Sequence, residues 1–188
     1  MVRDLILKNR SYRRFYENEP VSEEVLRGLV DLARLSPSAG NRQPLKYLLS
    51  WTPERNALIF PCLSWAGYLT DWPGPAEGER PAAYIIILAD TTISADAGCD
   101  HGIAAQSIML GAVEQGLGGC IIAAVKREEL QRRLGIPEHL KILLVLALGR
   151  PKEQVVLEEV TEGEIKYWRD KQAVHHVPKR RLEELIIL

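Results

Sequence analysis

The chain has 188 residues, of which 46% are hydrophobic and 26% are charged. These proportions are ordinary for a folded globular protein, and the length fits one domain. With 24 basic and 25 acidic residues the formal net charge is −1, which gives no sign of a nucleic-acid-binding or membrane-binding protein. No apolar run approaches the about 18 residues that a membrane span needs.

The cysteines and histidines give no sign of a metal site. Cys62, Cys99 and Cys120 lie far apart and form no CxxC pair, which is typical of reduced thiols in the cytoplasm. His175 and His176 are adjacent rather than four residues apart, so one helical face would not present both as ligands. The first residues also lack the features of a signal peptide. We therefore expect a cytoplasmic protein without a bound metal.

Hydrophobic spacing and turn signals predict the elements of the first half of the chain. Ser22 is a candidate N-cap, and apolar residues recur after it at helical spacing until a turn rich in Pro, Ser and Gly at 36–41. The predicted elements are a helix at 2–9, a helix at 22–35, a strand at 47–51, a helix within 56–69 and an exposed loop at 71–81.

The second half of the chain is predicted to contain three apolar strands. Segment 82–89 reads AAYIIILA, a continuous apolar run typical of a strand that is buried on both faces. The helix predicted at 97–115 is crowded with Gly and Ala, which indicates close approach by other backbones and a dimer interface. The remaining predicted elements are a strand at 120–125, a helix at 126–134 and a strand at 140–148.

The tail at 152–188 differs in character from the core at 1–151. It is charged and loosely patterned, and it ends in the apolar segment 185–188. Such a tail rarely forms a core of its own, so we expect an extended arm that crosses a partner subunit and adds a strand to its sheet. Strands separated by helices indicate an α/β or α+β architecture, which many functions share.

Two segments supply arginines suited to a phosphate. NRSYRRF at 9–15 places Arg10 and Arg13 on either side of Ser11, where a helix gives way to a loop. A guanidinium binds a phosphate through two parallel hydrogen bonds, and a hydroxyl adds a neutral donor. Arg150 follows the last apolar strand, at a position where ligands are often bound. Solvated surface charge is the alternative reading of both segments.

Two further segments are suited to a flat ligand. PSAGNRQP at 37–44 contains Asn41 and Gln43, whose amides each offer a donor and an acceptor, as the imide edge of a heterocycle requires. GLGGC at 116–120 lets the backbone approach a ligand closely and leaves amide N–H groups free. A plain loop and a glycine helix cap are the structural alternatives.

Together, the order and spacing of these segments resemble the nitroreductase family of FMN enzymes over nearly the whole length. The matching segments are NRSYRRF, PSAGNRQP, GLGGC, GRP and the tail YWRDKQAVHHVPKRRLEEL. The resemblance implies a single α+β domain, with a mixed, mostly antiparallel sheet flanked by helices, in a homodimer that exchanges its C-terminal arms. It also implies one FMN at each end of the dimer interface, built from both chains.

The resemblance also implies which residues hold the flavin. The first motif would hold its phosphate and pyrimidine side, the second would line the ring, and Gly118 and Gly119 would place a backbone N–H near flavin N5. Arg150 would reach the phosphate from the other end. The implied cofactor-binding residues are Arg10, Ser11, Arg13, Pro37, Ser38, Asn41, Gln43, Gly118, Gly119 and Arg150.

One position departs from the family pattern. Many members carry an arginine two positions before the motif serine, where this chain has Asn9. The phosphate grip is therefore expected to shift to Arg10, or to Arg150 together with tail residues such as Lys179. In the loop at 62–80, Trp65, Tyr68 and Trp72 form either an aromatic lid over the flavin or, as we favour, hydrophobic anchors of the loop.

The activity that the resemblance implies is ping-pong hydride transfer from NADH or NADPH, through the flavin, to a small flat acceptor such as a nitroaromatic or a quinone. Arg13 would stabilise the negative charge of the reduced ring, and no side chain need act as an acid or a base. Two alternatives stay open. One is an FMN-binding protein without nicotinamide turnover, such as a flavin store or a reductive dehalogenase, and the other is a dimeric interaction protein without a cofactor.

Overall fold

The computed structural model describes residues 1–187, and Leu188, the end of the apolar segment 185–188, lies outside them. The helices are α1 (Val2–Lys8), α2 (Glu23–Arg34), α3 (Pro53–Ile59), α4 (Asp100–Glu114) and α5 (Arg127–Leu134). The strands are β1 (Leu45–Ser50), β2 (Ala83–Asp90), β3 (Gly118–Ile122), β4 (Leu140–Gly149), β5 (Val155–Glu159), β6 (Trp168–Arg169) and β7 (His175–Lys179). Within residues 1–187, no helix is both long and apolar enough to cross a membrane.

A four-stranded sheet forms the centre of the fold. Its strand order is β1-β2-β4-β3, and every neighbouring pair of these strands is antiparallel. Ser11 adds a parallel bridge to Gly119 at the edge of β3. Helices cover both faces of the sheet, so the predicted α+β fold, with a mixed and mostly antiparallel sheet flanked by helices, is confirmed.

Strand β2 separates two hydrophobic cores, because alternate side chains of a strand point to opposite faces. Ile85 and Ile87 belong to a core that they share with α2 and α4. Tyr84 and Ile86 belong to a second core, built with residues of α3 and α5. All eight residues of β2 are buried, which confirms the prediction of a strand covered on both faces.

Capping residues decide where two of the helices begin. Ser22 caps α2, since its hydroxyl accepts a hydrogen bond from the backbone N–H of Val25 at 3.3 Å, as predicted. The prediction of a helix within 56–69 is wrong in its bounds. Thr52 caps α3 and Pro53 opens it, which moves its start three residues earlier, and a turn at Phe60 ends it.

Glycine is required where β3 approaches β4. The strand begins at Gly118, two residues before the predicted start, because the glycine segment is part of the sheet rather than a loop in front of it. A methyl group on Gly119 would collide with the carbonyl oxygen of Ala147 on β4. Any side chain at Gly119 therefore forces the two strands apart.

The tail at 152–188, for which an extended arm is expected, contains a small sheet of its own. Strand β7 pairs with β5 in parallel and with β6 in antiparallel fashion, so 155–179 forms a three-stranded sheet with its own chain. This sheet was not predicted from the sequence, because the pairing of β5 with β7 joins segments about 20 residues apart. Exchange of the tail with a partner subunit stays a prediction.

Replacing a crowded glycine and replacing an uncrowded one are expected to change stability in opposite directions. Gly119→Ala is expected to lower the free energy of unfolding by about 1 to 3 kcal/mol, because the β4 backbone cannot yield without losing strand pairing. Gly28→Ala, on the exposed side of α2 with open space around it, is expected to raise it by about 0.5 to 1 kcal/mol. Urea unfolding of both variants checks this; equal effects would contradict it.

Candidate functional site

The first motif runs beside the glycine end of β3. The backbone N–H of Tyr12 donates to the carbonyl oxygen of Gly119 at 2.9 Å, and Ser11 forms a bridge with the same residue. Further along, Phe15 forms a bridge with Pro151, just beyond the end of β4. The structure thus brings together three of the segments that the sequence singled out: NRSYRRF, GLGGC and GRP.

A cavity of about 350 Å³ opens where these segments meet the tail. Among residues 1–187, its lining contains three cationic residues and no carboxylate. The residues that line it are Asn9, Arg10, Ser11, Arg13, Gln106, Met109, Gly119, Ile121, Tyr167, His175, Val177 and Lys179. We call this space the cationic cavity. A surface with this charge favours an anionic ligand.

Arg13 is the most deeply placed of the three cations, with 8% of the residue exposed. Its Nη1 donates to the carbonyl oxygen of Ser11 at 3.2 Å and lies 3.2 Å from Nε2 of His175, while its guanidinium carbon lies 4.8 Å from the centre of the Tyr167 ring. Among the described residues, no carboxylate forms an ion pair with the guanidinium. Because a buried charge without a counter-ion is costly, this arrangement indicates a site for an anion.

Glu153 fixes the backbone of the first motif to the tail. Its side chain is fully buried, accepts a hydrogen bond from the backbone N–H of Arg13 and forms an ion pair with Arg169 at 2.8 Å. The carboxylate thus pairs its charge with the Arg169 side chain, and its hydrogen bond to Arg13 is with the backbone N–H rather than with the guanidinium. This division leaves the charge of the Arg13 guanidinium uncompensated.

Arg10 and Asn9 have structural contacts as well. Nη2 of Arg10 donates to the carbonyl oxygen of Ile6 at 2.6 Å and so closes the end of α1, while its Nε is buried and has no partner among residues 1–187. Burial lowers the pKa of Arg10. Asn9, which occupies the position where many family members carry arginine, donates to Gln106 of α4 at 3.3 Å.

The second motif lies in a different place, around a cavity of about 150 Å³ that Pro37, Ser38 and Gln43 help to line. The loop is held by Asp100 at the start of α4, whose carboxylate accepts from the Ser38 hydroxyl at 2.6 Å and from the Ala39 N–H at 2.9 Å. The Gln43 side chain donates to that of Asn41 at 3.1 Å, and both residues have positive φ.

The two cavities lie on opposite sides of α4. Asp100 and Ala104 line the smaller cavity, whereas Gln106 and Met109 line the cationic cavity. With about 100° of rotation per residue, these pairs point in nearly opposite directions, and about 13 Å of helix separates Asp100 from Met109. The first and second motifs of one chain therefore do not face a common ligand.

Two predicted site residues lie away from the cationic cavity. Arg150 pairs with Glu19 at 3.3 Å, and 64% of its side chain is exposed. Gly118 is enclosed by Tyr12 and Pro151, so a methyl group there would collide with both. Phosphate binding by Arg150 and flavin contact by Gly118 stay predictions that this arrangement does not favour.

The aromatic residues of the loop at 62–80 serve as anchors in this structure. Tyr68 packs on Tyr167 with ring centres 4.9 Å apart, and its backbone N–H donates to the hydroxyl of Tyr167 at 3.3 Å. Trp72 lies 4.2 Å from the guanidinium carbon of Arg169. Trp65 packs against Phe60. The loop is thus bound to the tail and to α3, which supports the anchoring interpretation.

Several residues that build these sites were not predicted from the sequence. Asp100 holds the second motif, and Glu153, Tyr167 and His175 surround Arg13. An acidic residue in the first turn of a helix was a usable signal for Asp100. The other three lie in the tail, and only its folding onto the first motif reveals them. Within residues 1–187, no group of three or more His, Cys, Asp or Glu residues is placed to hold a metal ion.

The adjacent histidines of β7 have opposite electrostatic surroundings. His175 is 1% exposed, and burial together with the charge of Arg13 lowers its pKa from 6.5 to about 4. His176 faces Glu158 and Asp170, and its hydrogen bonds to these carboxylates raise its pKa. At neutral pH His175 is therefore uncharged.

The chain is similar to known proteins over most of its length. The family model described as Nitroreductase family matches residues 6–61 and 73–150. A protein of Archaeoglobus fulgidus, provisionally named NADH dehydrogenase/NAD(P)H nitroreductase, is 28% identical over 158 residues, which cover 80% of this chain and 85% of that protein.

Two solved structures illustrate the likeness in fold. The FMN-dependent nitroreductase of Clostridium difficile R20291 superposes with a TM-score of 0.65 at 24% identity, over 82% of this chain and 89% of that chain. The nitroreductase family protein of Streptococcus pneumoniae TIGR4 superposes with a TM-score of 0.71 at 16% identity, and each chain is covered completely.

The two histidines predict opposite pH effects on stability. Between pH 6.5 and 4, His175 is protonated in the unfolded chain but not in the folded chain. Because of this residue, the free energy of unfolding falls by on the order of 3 kcal/mol as the pH drops through that range. His176 has a raised pKa, so its contribution is complete below pH 6.5 and is lost as the pH rises. Urea unfolding at pH 5 and 7.5 checks this. Between pH 7.5 and 5, His175→Gln is expected to lose less unfolding free energy than wild type, and His176→Gln is expected to lose more. An equal change in all three proteins would contradict the prediction.

Proposed function

The chain belongs to the nitroreductase family, and on that premise we propose that it is an FMN-dependent oxidoreductase that uses NADH or NADPH to reduce a small flat acceptor, such as a nitroaromatic or a quinone. The observation that carries the proposal is the buried Arg13 guanidinium, which lines a cationic cavity and has no carboxylate partner within residues 1–187. A flavin phosphate and a reduced flavin ring are both anionic and suit such a cavity.

The polar groups of the cavity fit FMN in number and kind. Arg10 and Lys179 offer cations, and Ser11 offers a hydroxyl. Nε of Arg10 and Nδ1 of His175 are buried and have no hydrogen-bond partner among the described residues. Because buried polar groups are normally paired, unpartnered atoms beside a cavity support a bound polar ligand. We assign the phosphate to Ser11, Arg10 and Lys179.

Bound FMN would supply the redox chemistry for hydride transfer between the nicotinamide and the acceptor, which we propose occurs in separate half-reactions. Arg13 stabilises negative charge beside it, and its fixed position costs no reorganisation during the reaction. The Nε2 atom of His175 accepts from Arg13, so this neutral histidine has no proton there to donate. Neither histidine of β7 is assigned as an acid or a base.

We propose further that the active form is a homodimer. One flavin that contacts both motifs needs the cationic cavity of one chain and the PSAGNRQP loop of another, since the two lie on opposite sides of α4. Exposed apolar side chains support an interface around this helix, with Ile103 on α4 and with Ile6 and Leu7 on the neighbouring α1. In this dimer Pro37, Ser38, Asn41 and Gln43 of the second chain would line the flavin ring.

An absorbance experiment tests the proposed activity. The purified protein is reconstituted with FMN, freed of excess flavin and mixed without oxygen with NADH or NADPH. Flavin bands between roughly 370 and 450 nm are expected to remain with the protein and to bleach on mixing. Bound flavin that neither nicotinamide bleaches would favour a flavin store or a reductive dehalogenase. Protein that retains no FMN would contradict the proposal altogether.

A pair of arginine variants links that activity to the cationic cavity. Arg13→Met is expected to weaken FMN binding by about tenfold or more, because a charge-assisted contact in a buried site is lost. Arg27→Met, on the exposed face of α2, is the matched control and is expected to bind FMN as wild type does. Retention of flavin is measured by fluorescence titration; equal affinities would remove Arg13 from the site.

The dimer is tested by placing a charge on α4. Ile103→Asp is expected to shift the protein from dimer to monomer in light scattering and to lose bound FMN, since each site would lose half of its residues. Ile93→Asp, in the exposed turn after β2, is a control of similar exposure that is expected to remain dimeric. A monomeric wild-type protein that retains FMN would contradict the two-chain site.

A further inference from the structure

The tail strand β7 delivers a neutral hydrogen-bond acceptor to the buried Arg13. Nε2 of His175 lies 3.2 Å from Nη1 of Arg13, and His175 itself is 1% exposed. Strand β7 is paired on both sides, with β5 and with β6, so the position of His175 is fixed by two ladders. The contact therefore joins a strand that is paired on both sides to Arg13, the most deeply buried cation of the cavity lining.

The direction of this hydrogen bond follows from the chemistry of the two groups. A guanidinium carries five N–H donors and no acceptor, so Nε2 of His175 must accept from Arg13. The ring proton is then on Nδ1, the atom without a partner among residues 1–187. His175 thus binds Arg13 as an uncharged imidazole.

A second tail residue encloses the guanidinium from another side. The ring of Tyr167 lies 4.8 Å from the guanidinium carbon of Arg13 and 5.2 Å from the ring of His175. Aromatic faces attract a cation without carrying a charge of their own. With the Ser11 carbonyl as the third contact, the three groups that hold the guanidinium of Arg13 are neutral.

Neutral partners hold the Arg13 guanidinium without cancelling its charge, whereas a carboxylate would cancel it. A carboxylate at position 175 would hold Arg13 equally well, but it would also cancel the charge on which binding of an anion depends. An imidazole acceptor restricts the guanidinium to one position and leaves its charge intact. The carboxylate nearest in the network, Glu153, binds only the backbone of Arg13 and pairs its charge with Arg169.

We propose that His175 is a positioning residue that fixes the guanidinium of Arg13 in the cationic cavity without neutralising it, so that its charge acts on the bound flavin. This inference rests on the proposed FMN site. It assigns a function in the cofactor site to the tail of the same chain.

Four variants test the proposal through FMN affinity, measured by fluorescence titration, and through the midpoint potential of the bound flavin. His175→Leu removes the acceptor and is expected to weaken FMN binding about tenfold and to make the potential more negative, because the reduced, anionic form loses its ordered cation. His175→Gln keeps an acceptor oxygen in reach of Arg13 and is expected to restore affinity to within about threefold of wild type.

The third variant separates charge from geometry. His175→Glu is expected to hold Arg13 and to unfold at a temperature no lower than His175→Leu, yet to bind FMN as weakly or more weakly, since an ion pair replaces the free cation. The control is His176→Leu, on the opposite face of the same strand, where His176 stacks on Trp168 with ring centres 4.0 Å apart. It is expected to retain the affinity and the potential of wild type.

The outcomes distinguish this inference from the proposed function. A wild-type protein that binds no FMN would remove the function and the inference together. If wild type binds FMN and His175→Leu matches His176→Leu in affinity and potential, the inference alone is overturned. If His175→Leu does not fold, the Gln and Glu variants decide, because equal affinity in these two would show that the charge state at position 175 does not matter.

Discussion

The buried charge of Arg13 is the constraint on which the rest of this structure depends. A guanidinium taken out of water without a carboxylate partner destabilises the folded chain, so the surrounding residues must compensate in other ways. They do so with a main-chain carbonyl, an imidazole and an aromatic face, all of them neutral. The buried charge lowers the stability of the folded chain, but it remains available to pair with a bound anion.

This requirement explains why the tail folds onto the first motif. Glu153 is the attachment point, because its buried carboxylate joins the backbone of Arg13 to the side chain of Arg169. Arg169 in turn lies over Trp72 of the loop at 62–80. First motif, tail and loop are therefore joined by direct contacts.

The sequence predicted what is local and missed what is not. The helices α1, α2, α4 and α5, the apolar strands and the cap at Ser22 follow from spacing and turn chemistry within about ten residues. The resemblance also assigns the first motif and Gly119 to one site, and the structure shows that their backbones are neighbours. The three-stranded tail sheet and the position of His175 were not predictable, because they depend on pairing between segments with weak patterns of their own. The role of Arg150 was inferred by resemblance, and its pair with Glu19 could not be read from a single sequence.

Helix α4 lies between the two cavities that the sequence motifs help to line. Its two sides serve different cavities, with Asp100 ordering the PSAGNRQP loop on one and Gln106 contacting the first motif on the other. A two-fold dimer around this helix would join the cationic cavity of each chain to the loop of the other and form two equal sites. Its exposed glycine at 102 and its neighbour Ile103 would then allow the helices of the two chains to approach closely. In such a dimer the cationic cavity of one chain would hold the flavin beside Arg13, and the PSAGNRQP loop of the other chain would cover the ring. The small residues of α4 would let the two chains come close enough for both to contact one flavin.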